Sequence, residues 1–255
     1  MLQKMAELEI TELHRLNELQ TCNLCATDGE IGPVADMNFD DSTWVVRYIV
    51  ANTVGWLNGR QTLISSVAVG DIDEENNEIF IEVSRDQIKD SPPIEDTDHV
   101  SRQYEVDYFS YYGWPPYWES TPFVSLFPAD EVEQSYGAMK RHQLANSHLR
   151  SAMEVMDYNI AAEDGEIGRV KDFVINRKNW KICYLEIDTG KWWPGKRVLL
   201  NPAWIRKIDW PMKNVIVDLD RRAIRSAPAY DPKSVISRNY EIKLFEHYGR
   251  HKYWE

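Results

Sequence analysis

Short stretches of alternating apolar and polar residues dominate this chain. Ile79, Ile81 and Val83 alternate with Glu82, and Val215, Val217 and Leu219 alternate with Asp218. Period two marks a strand with one buried face and one wet face. Earlier, 31–39 and 167–175 read as strands following Asp28-Gly29 and Asp164-Gly165, dipeptides that favour a two-residue hairpin. A polar turn, DDST in one half and NRKN in the other, leads into strands over 43–52 and 179–188. There Trp44, Val46 and Tyr48 share a face, as do Trp180, Ile182 and Tyr184. The opposite neighbours are also largely apolar, as in a strand inside a small barrel. Gly59 and Gly195 turn the chain into RQTLIS and KRVLLN.

Helical signals come later in each half. Ser84-Arg-Asp-Gln87 is a capping box and Asp220 is a cap, so a short helix follows each and stops before Pro92 and Pro228. Ser101 and Ser237 cap a second helix of about three turns that ends at Gly113 and Gly249. Its apolar stripe is Tyr104, Tyr108/Leu244, Phe109/Phe245 and Tyr112/Tyr248.

These paired signals belong to one internal repeat. A shift of 136 residues lays ATDGEIGPVADM (26–37) on AEDGEIGRVKDF (162–173), VSRQYEVDYFSYYG (100–113) on ISRNYEIKLFEHYG (236–249), and YWE (117–119) on YWE (253–255). The register runs without a gap from Leu13/Leu149 to Glu119/Glu255, and 32 of its 107 pairs are identical. Ordinary composition gives roughly 6%. The chain therefore parses as a leader, a domain over 13–119, a joining segment over 120–148 and a domain over 149–255. The joiner's Phe123, Val124, Leu126 and Phe127 are too apolar for a free tether and are expected to dock; a short helix is expected over 130–143.

Charge and cysteine use narrow the function classes. With 41 acidic and 29 basic side chains the formal charge is −12, which argues against nucleic acid as the main partner. No apolar run reaches the ~18–20 residues that span a bilayer. The first residues lack the basic start and apolar middle of a secretory signal. Three cysteines do not suggest a disulfide framework, so the expected location is cytoplasmic.

DGEIGxVxD, then W-x-x-x-Y, then W-x-x-G-[RK], then SRxYE…YG…YW resembles the PRC-barrel domain, a family shared with the cytoplasmic part of the photosynthetic reaction-centre H subunit and the C-terminal domain of the ribosome-maturation factor RimM. The resemblance covers both copies and is strongest to stand-alone tandem members. It implies small β-barrels, a role in protein contacts and no catalytic residues. The chain lacks the H subunit's membrane helix and RimM's separate N-terminal barrel, so neither photosynthetic nor ribosomal work carries over.

Several groups invite chemistry. Cys22-Asn-Leu-Cys25 has CxxC spacing, but copy two carries Tyr158 and Ala161 there, and zinc needs four ligands. His247 and His251 stand at i, i+4 with Gly249 between them. Asp28, Glu30 and Asp36 recur as Asp164, Glu166 and Asp172; they read as turn, edge and partner-holding residues rather than an acid–base pair. Arg102/Glu105 recurs as Arg238/Glu241, either docking the helix or forming a recognition surface. Trp114 and Trp118 frame a Pro-Pro-Tyr segment, and Trp254 repeats Trp118. Trp192 and Trp193 lie beside Lys196 and Arg197, as an anion site would.

The expected architecture is mainly β with short helices: two small PRC-type barrels in a pseudo-two-fold arrangement, each with a C-terminal helix. The expected function is a non-enzymatic protein-interaction scaffold without cofactor or metal. The candidate surface is Arg102, Glu105, Trp114, Trp118, Trp192, Trp193, Arg238, Glu241 and Trp254. The expected state is a monomer holding an internal pseudo-dimer, with a homodimer as the other possibility. The alternative function is small-ligand or metal binding between the barrels.

Overall fold

The computed structural model describes residues 12–53, 55–57, 59–94, 97, 100–119, 148–190 and 195–254. They are mainly β with short helices and divide into two compact units. Within the described residues, the amino-terminal unit comprises Cys22–Ser42, 47–119 and 148–151. The carboxy-terminal unit comprises 12–21, Thr43–Val46 and 152–254.

The described residues open with β1 (Leu13–Arg15) and α1 (Leu16–Leu19), both in the carboxy-terminal unit. The amino-terminal unit then takes β2 (Asn23–Ala26), β3 (Gly29–Asp40), most of β4 (Val45–Asn52), β5 (Gln61–Ser65), β6 (Val69–Asp73), β7 (Glu78–Ile81), α2 (Arg85–Asp90), α3 (Arg102–Tyr112) and β8 (Leu149–Ser151). The carboxy-terminal unit is completed by α4 (Ala152–Val155), β9 (Asn159–Ala162), β10 (Gly165–Asn176), β11 (Lys181–Asp188), β12 (Arg197–Leu200), β13 (Ile205–Asp209), β14 (Asn214–Val217), α5 (Arg221–Ser226) and α6 (Arg238–Tyr248).

In the amino-terminal unit the strand order is β5-β4-β3-β2-β7-β6, with β2 and β7 parallel. In the carboxy-terminal unit it is β12-β11-β10-β9-β14-β13, with β9 and β14 parallel. Neither ladder closes among the described residues. In the amino-terminal unit α3 lays Tyr108 and Phe109 against Tyr48, Val50 and Leu63 of β4 and β5. Its ends match the sequence reading: Ser101 Oγ accepts from Tyr104 N, and Gly113 takes the left-handed conformation. The capping box at Ser84 and the Asp220 cap also form.

The hairpin is shifted by one residue from its expected place. Ala26 pairs with Gly29, so the loop is Thr27-Asp28, and the repeat uses Glu163-Asp164. In that position the aspartates reach the next helix: Asp28 Oδ1 accepts from Arg85 N at 2.7 Å and Asp164 Oδ1 from Arg221 N at 2.8 Å. Trp44 and Trp180, expected inside strands, end the preceding turn with φ of 58° and 57°. A turn whose last residue is left-handed returns the chain without splaying the strands.

The compact units cut across the repeat. Residues 13–15 pair with Val174–Asn176 of β10, and 149–151 pair with Asn38–Asp40 of β3. Each copy's first strand thus completes the sheet of the other copy. Leu16 and Leu19 of α1 are buried there. The retained aspartates receive these segments: Asn17 N donates to Asp172 Oδ1 at 3.2 Å, and Ser151 Oγ donates to Asp36 Oδ2 at 2.5 Å. The His148 carbonyl, just before β8, accepts from Asp41 N. Residues 120–147, with the expected docking at 123–127 and helix over 130–143, lie outside the described residues.

The second glycine of each DGEIG has a steric reason. A Cβ on Gly32 would overlap the Asn52 carbonyl, and one on Gly168 the Asp188 carbonyl. Backbone cannot swing away as a side chain can. Gly32→Ala and Gly168→Ala should each cost about 1–3 kcal/mol, whereas Gly59→Ala meets nothing within 4 Å and bears only its left-handed φ of 70°. Thermal unfolding of the three variants checks the contrast.

Candidate functional site

The recurring Arg–Glu pairs enter on the first turn of α3 and of α6, three residues apart and so on one helical face. Glu105 is 0% exposed. Its Oε1 accepts from Tyr117 Oη at 2.7 Å and from Tyr48 Oη of β4 at 3.2 Å. Its Oε2 lies 2.7 Å from Arg102 Nη1. The Arg102 guanidinium covers Trp118 at 4.4 Å, and Arg47 of β4 covers Tyr117 at 3.9 Å. The second copy repeats the knot. Glu241 Oε1 accepts from Tyr184 Oη at 2.6 Å and Tyr253 Oη at 2.8 Å, Oε2 faces Arg238 at 2.9 Å, and Arg238 covers Trp254 at 4.3 Å.

Burial pushes the Glu105 carboxyl up, while Arg102 and the two hydroxyls pull it back. Burial, reinforced by the adjacent carboxyl, drives the Tyr48 and Tyr184 phenols far above their ordinary range, so they stay protonated donors. These groups have a fastening chemistry: each glutamate ties the helix to a strand and to the terminal aromatic segment.

The expected interaction surface is therefore redistributed. Glu105, Glu241 and Arg102 are interior, because their charges are matched inside the fold. Trp118 and Trp254 pack edge-on against Phe109 and Phe245 of their own helices. Trp114 stacks on Tyr112 at 4.4 Å. Trp192 and Trp193 lie outside the described residues.

The cations beside them are spent. Lys196 Nζ donates to the carbonyls of Arg225 and Ala227 at the end of α5, and Arg197 Nη1 contacts Glu186 Oε1 at 2.5 Å. His247 Nε2 contacts the Ala223 carbonyl at 2.7 Å, which fastens α6 to α5. Cys22 and Cys25 are not joined in a disulfide, and burial together with Glu78 and Glu30 raises the Cys25 thiol, the reverse of a reactive thiolate. Among the described residues no set of three or more His, Cys, Asp or Glu is arranged to hold a metal.

One polar cluster escaped the sequence reading. Asp172 and Glu186 lie opposite each other across the β10–β11 ladder, 1% and 0% exposed. Arg15 of β1, Arg197 of β12, Glu18, Asp188 and Tyr230 supply the surrounding charges and phenol. Burial lifts the Asp172 carboxyl to about 6, against the pull of the Phe173 and Asn17 amides. A signal was present: Glu186 interrupts the apolar run of KICYLEID, where copy one has Val50.

A scan of protein-family models finds no match to this chain, and a search of curated proteins finds none.

Two outcomes follow from this geometry. Glu105→Ala strands a buried guanidinium and should cost about 3–5 kcal/mol, against about 1.5–3 kcal/mol for Tyr117→Phe, which removes one donor to the carboxylate, read by denaturant unfolding. Asp172 ionises near pH 4 when unfolded and about 6 when folded, so ionisation favours the unfolded chain between those values. Wild type should lose on the order of 2 kcal/mol relative to Asp172→Asn as pH rises from 4 to 7, measured by unfolding at each pH.

Proposed function

We propose that this protein is a non-enzymatic, cytoplasmic protein-interaction scaffold built from two PRC-barrel-type units. The observation that carries the reading is the fate of the recurring ionisable groups. Glu105 and Glu241, with their arginines and tyrosines, are consumed in fastening each unit's helix to its sheet. What two copies retain in common is therefore a frame for presenting surfaces. The PRC-type reading draws support from the order of the motifs. DGEIG opens the long strand, Trp44 and Trp180 introduce the next one, and the SRxYE segment caps and starts the helix that covers it. The charge of −12 favours protein over nucleic acid as partner.

The alternative, small-ligand binding, draws support from one cleft within the carboxy-terminal unit, beside Arg238 and Tyr253. Affinity capture from native extract, followed by reconstitution with the purified captured protein, separates the two. The scaffold reading expects a complex of defined stoichiometry in sedimentation, and the apo mass alone in native mass spectrometry. Extra bound small-molecule mass with no reconstitutable protein complex would overturn it.

A further inference from the structure

The two helix-to-sheet knots differ at one position on the strand beneath them. In the amino-terminal unit it is Arg47, whose guanidinium lies flat on Tyr117 and 3.7 Å from Asp40 Oδ2. At the shifted position the carboxy-terminal unit has Cys183, a buried, uncharged side chain that touches Tyr253 and the Asn176 backbone but has no guanidinium to lay on the ring. Its equivalents of Tyr117 and Asp40 are Tyr253 and Asn176, and both line the cleft. Much of the remaining wall follows the same correspondence, with Ile236 for Val100, Arg238 for Arg102, Glu241 for Glu105 and Leu13 for Leu149, while Glu12 and Lys178 have no like counterpart. Tyr253 is 49% exposed, whereas Tyr117 under Arg47 is half-buried.

We propose that this cleft is a seat for a guanidinium group brought by a ligand, occupying the place that Arg47 fills in the other unit. The chemistry of the wall fits that group. The ring of Tyr253 offers a face of the kind on which Arg47 stacks. The Asn176 side-chain carbonyl, which already accepts from Lys178 N at 2.9 Å and has a second lone pair, and the Glu12 carboxylate supply acceptors in the lining. Glu12 already pairs with Lys178. That lysine is 70% exposed, so the pair is weakly held and opens to a better donor. A second cation close to Arg238 is tolerable, because Arg47 and Arg102 both approach the Tyr117 ring in the other unit, at 3.9 and 5.5 Å. The seat stands on this geometry alone. The scaffold reading enters only in making a protein's arginine the source of the group.

Titration calorimetry of the full-length chain with N-acetyl-arginine amide tests the seat. Saturable binding in the millimolar range is expected, with none for the citrulline counterpart, which keeps the shape and loses the charge. Cys183→Arg should fill the seat from within and weaken binding by at least about ten-fold, with the thermal midpoint maintained or raised. Asn176→Asp restores the acid that Asp40 supplies and should tighten binding several-fold; it carries the test if Cys183→Arg does not fold. Equal binding of the citrulline compound, binding unchanged by Asn176→Asp, or no saturation would overturn the proposal. Tighter binding of the capped amide than of free arginine assigns a peptide or protein source, and the reverse assigns the free amino acid; either ordering upholds the seat. Failure to reconstitute a protein complex beside a positive titration would sink the scaffold reading and leave the seat intact.

Discussion

A carboxylate buried away from water is costly unless donors replace its hydration, and Glu105 and Glu241 sit at the points where each unit meets that condition. Each gathers two phenolic hydroxyls and a guanidinium from three separate stretches of chain: the sheet strand, the helix and the terminal aromatic segment. None of these stretches could shift without orphaning a charge, and orphaning a buried charge is far more damaging than losing an exposed pair. The knot therefore fixes where the helix lies. The aromatic ring network on Phe109 and on Phe245 is arranged around it.

The retained aspartates one strand earlier perform a related task on a different substrate. Asp36 and Asp172 each satisfy the amide that follows them, Met37 N and Phe173 N, and then accept from the first segment of the opposite copy. A duplicated sequence can exchange such segments because both copies carry the same acceptor and nearly the same strand. Each copy's first strand is thereby held by the acceptor that the other copy retains.

Much of the local structure was legible because its causes are local. Ser84, Ser101, Asp220 and Ser237 cap helices by reaching amides three residues on, and Gly113 and Gly249 end them through their backbone freedom; these depend on neighbours in sequence. The retained acids at 36 and 172 were readable as partner-holders, although their partners were not. The exchange itself was invisible, since Leu13, Leu16 and Leu19 would form the same apolar stripe whichever copy received them. The paired tyrosines on Glu105 were hidden for the same reason: Tyr48 and Tyr117 meet it only through the fold. Glu186 was legible in principle, as a charge set in an apolar strand whose counterpart is Val50.

Comparison between copies separates the frame from what has been left to vary. Positions that agree, such as Gly32/Gly168, Asp36/Asp172, Tyr48/Tyr184 and Glu105/Glu241, all have identifiable structural tasks. Some positions that differ are volume exchanges: Tyr108 becomes Leu244 while Ala68 becomes Trp204, and Trp204 then packs on Phe245 and Tyr248. Others change charge. Val50 becomes Glu186 together with Gln61 becoming Arg197, a substitution compensated within the unit by their mutual contact. Arg47 becoming Cys183 removes a cation from the face of an aromatic ring, and the neighbouring change of Asp40 to Asn176 removes one acid with it. The loss of charge is balanced but the loss of side-chain volume is not, and Tyr253 is more exposed than its counterpart Tyr117.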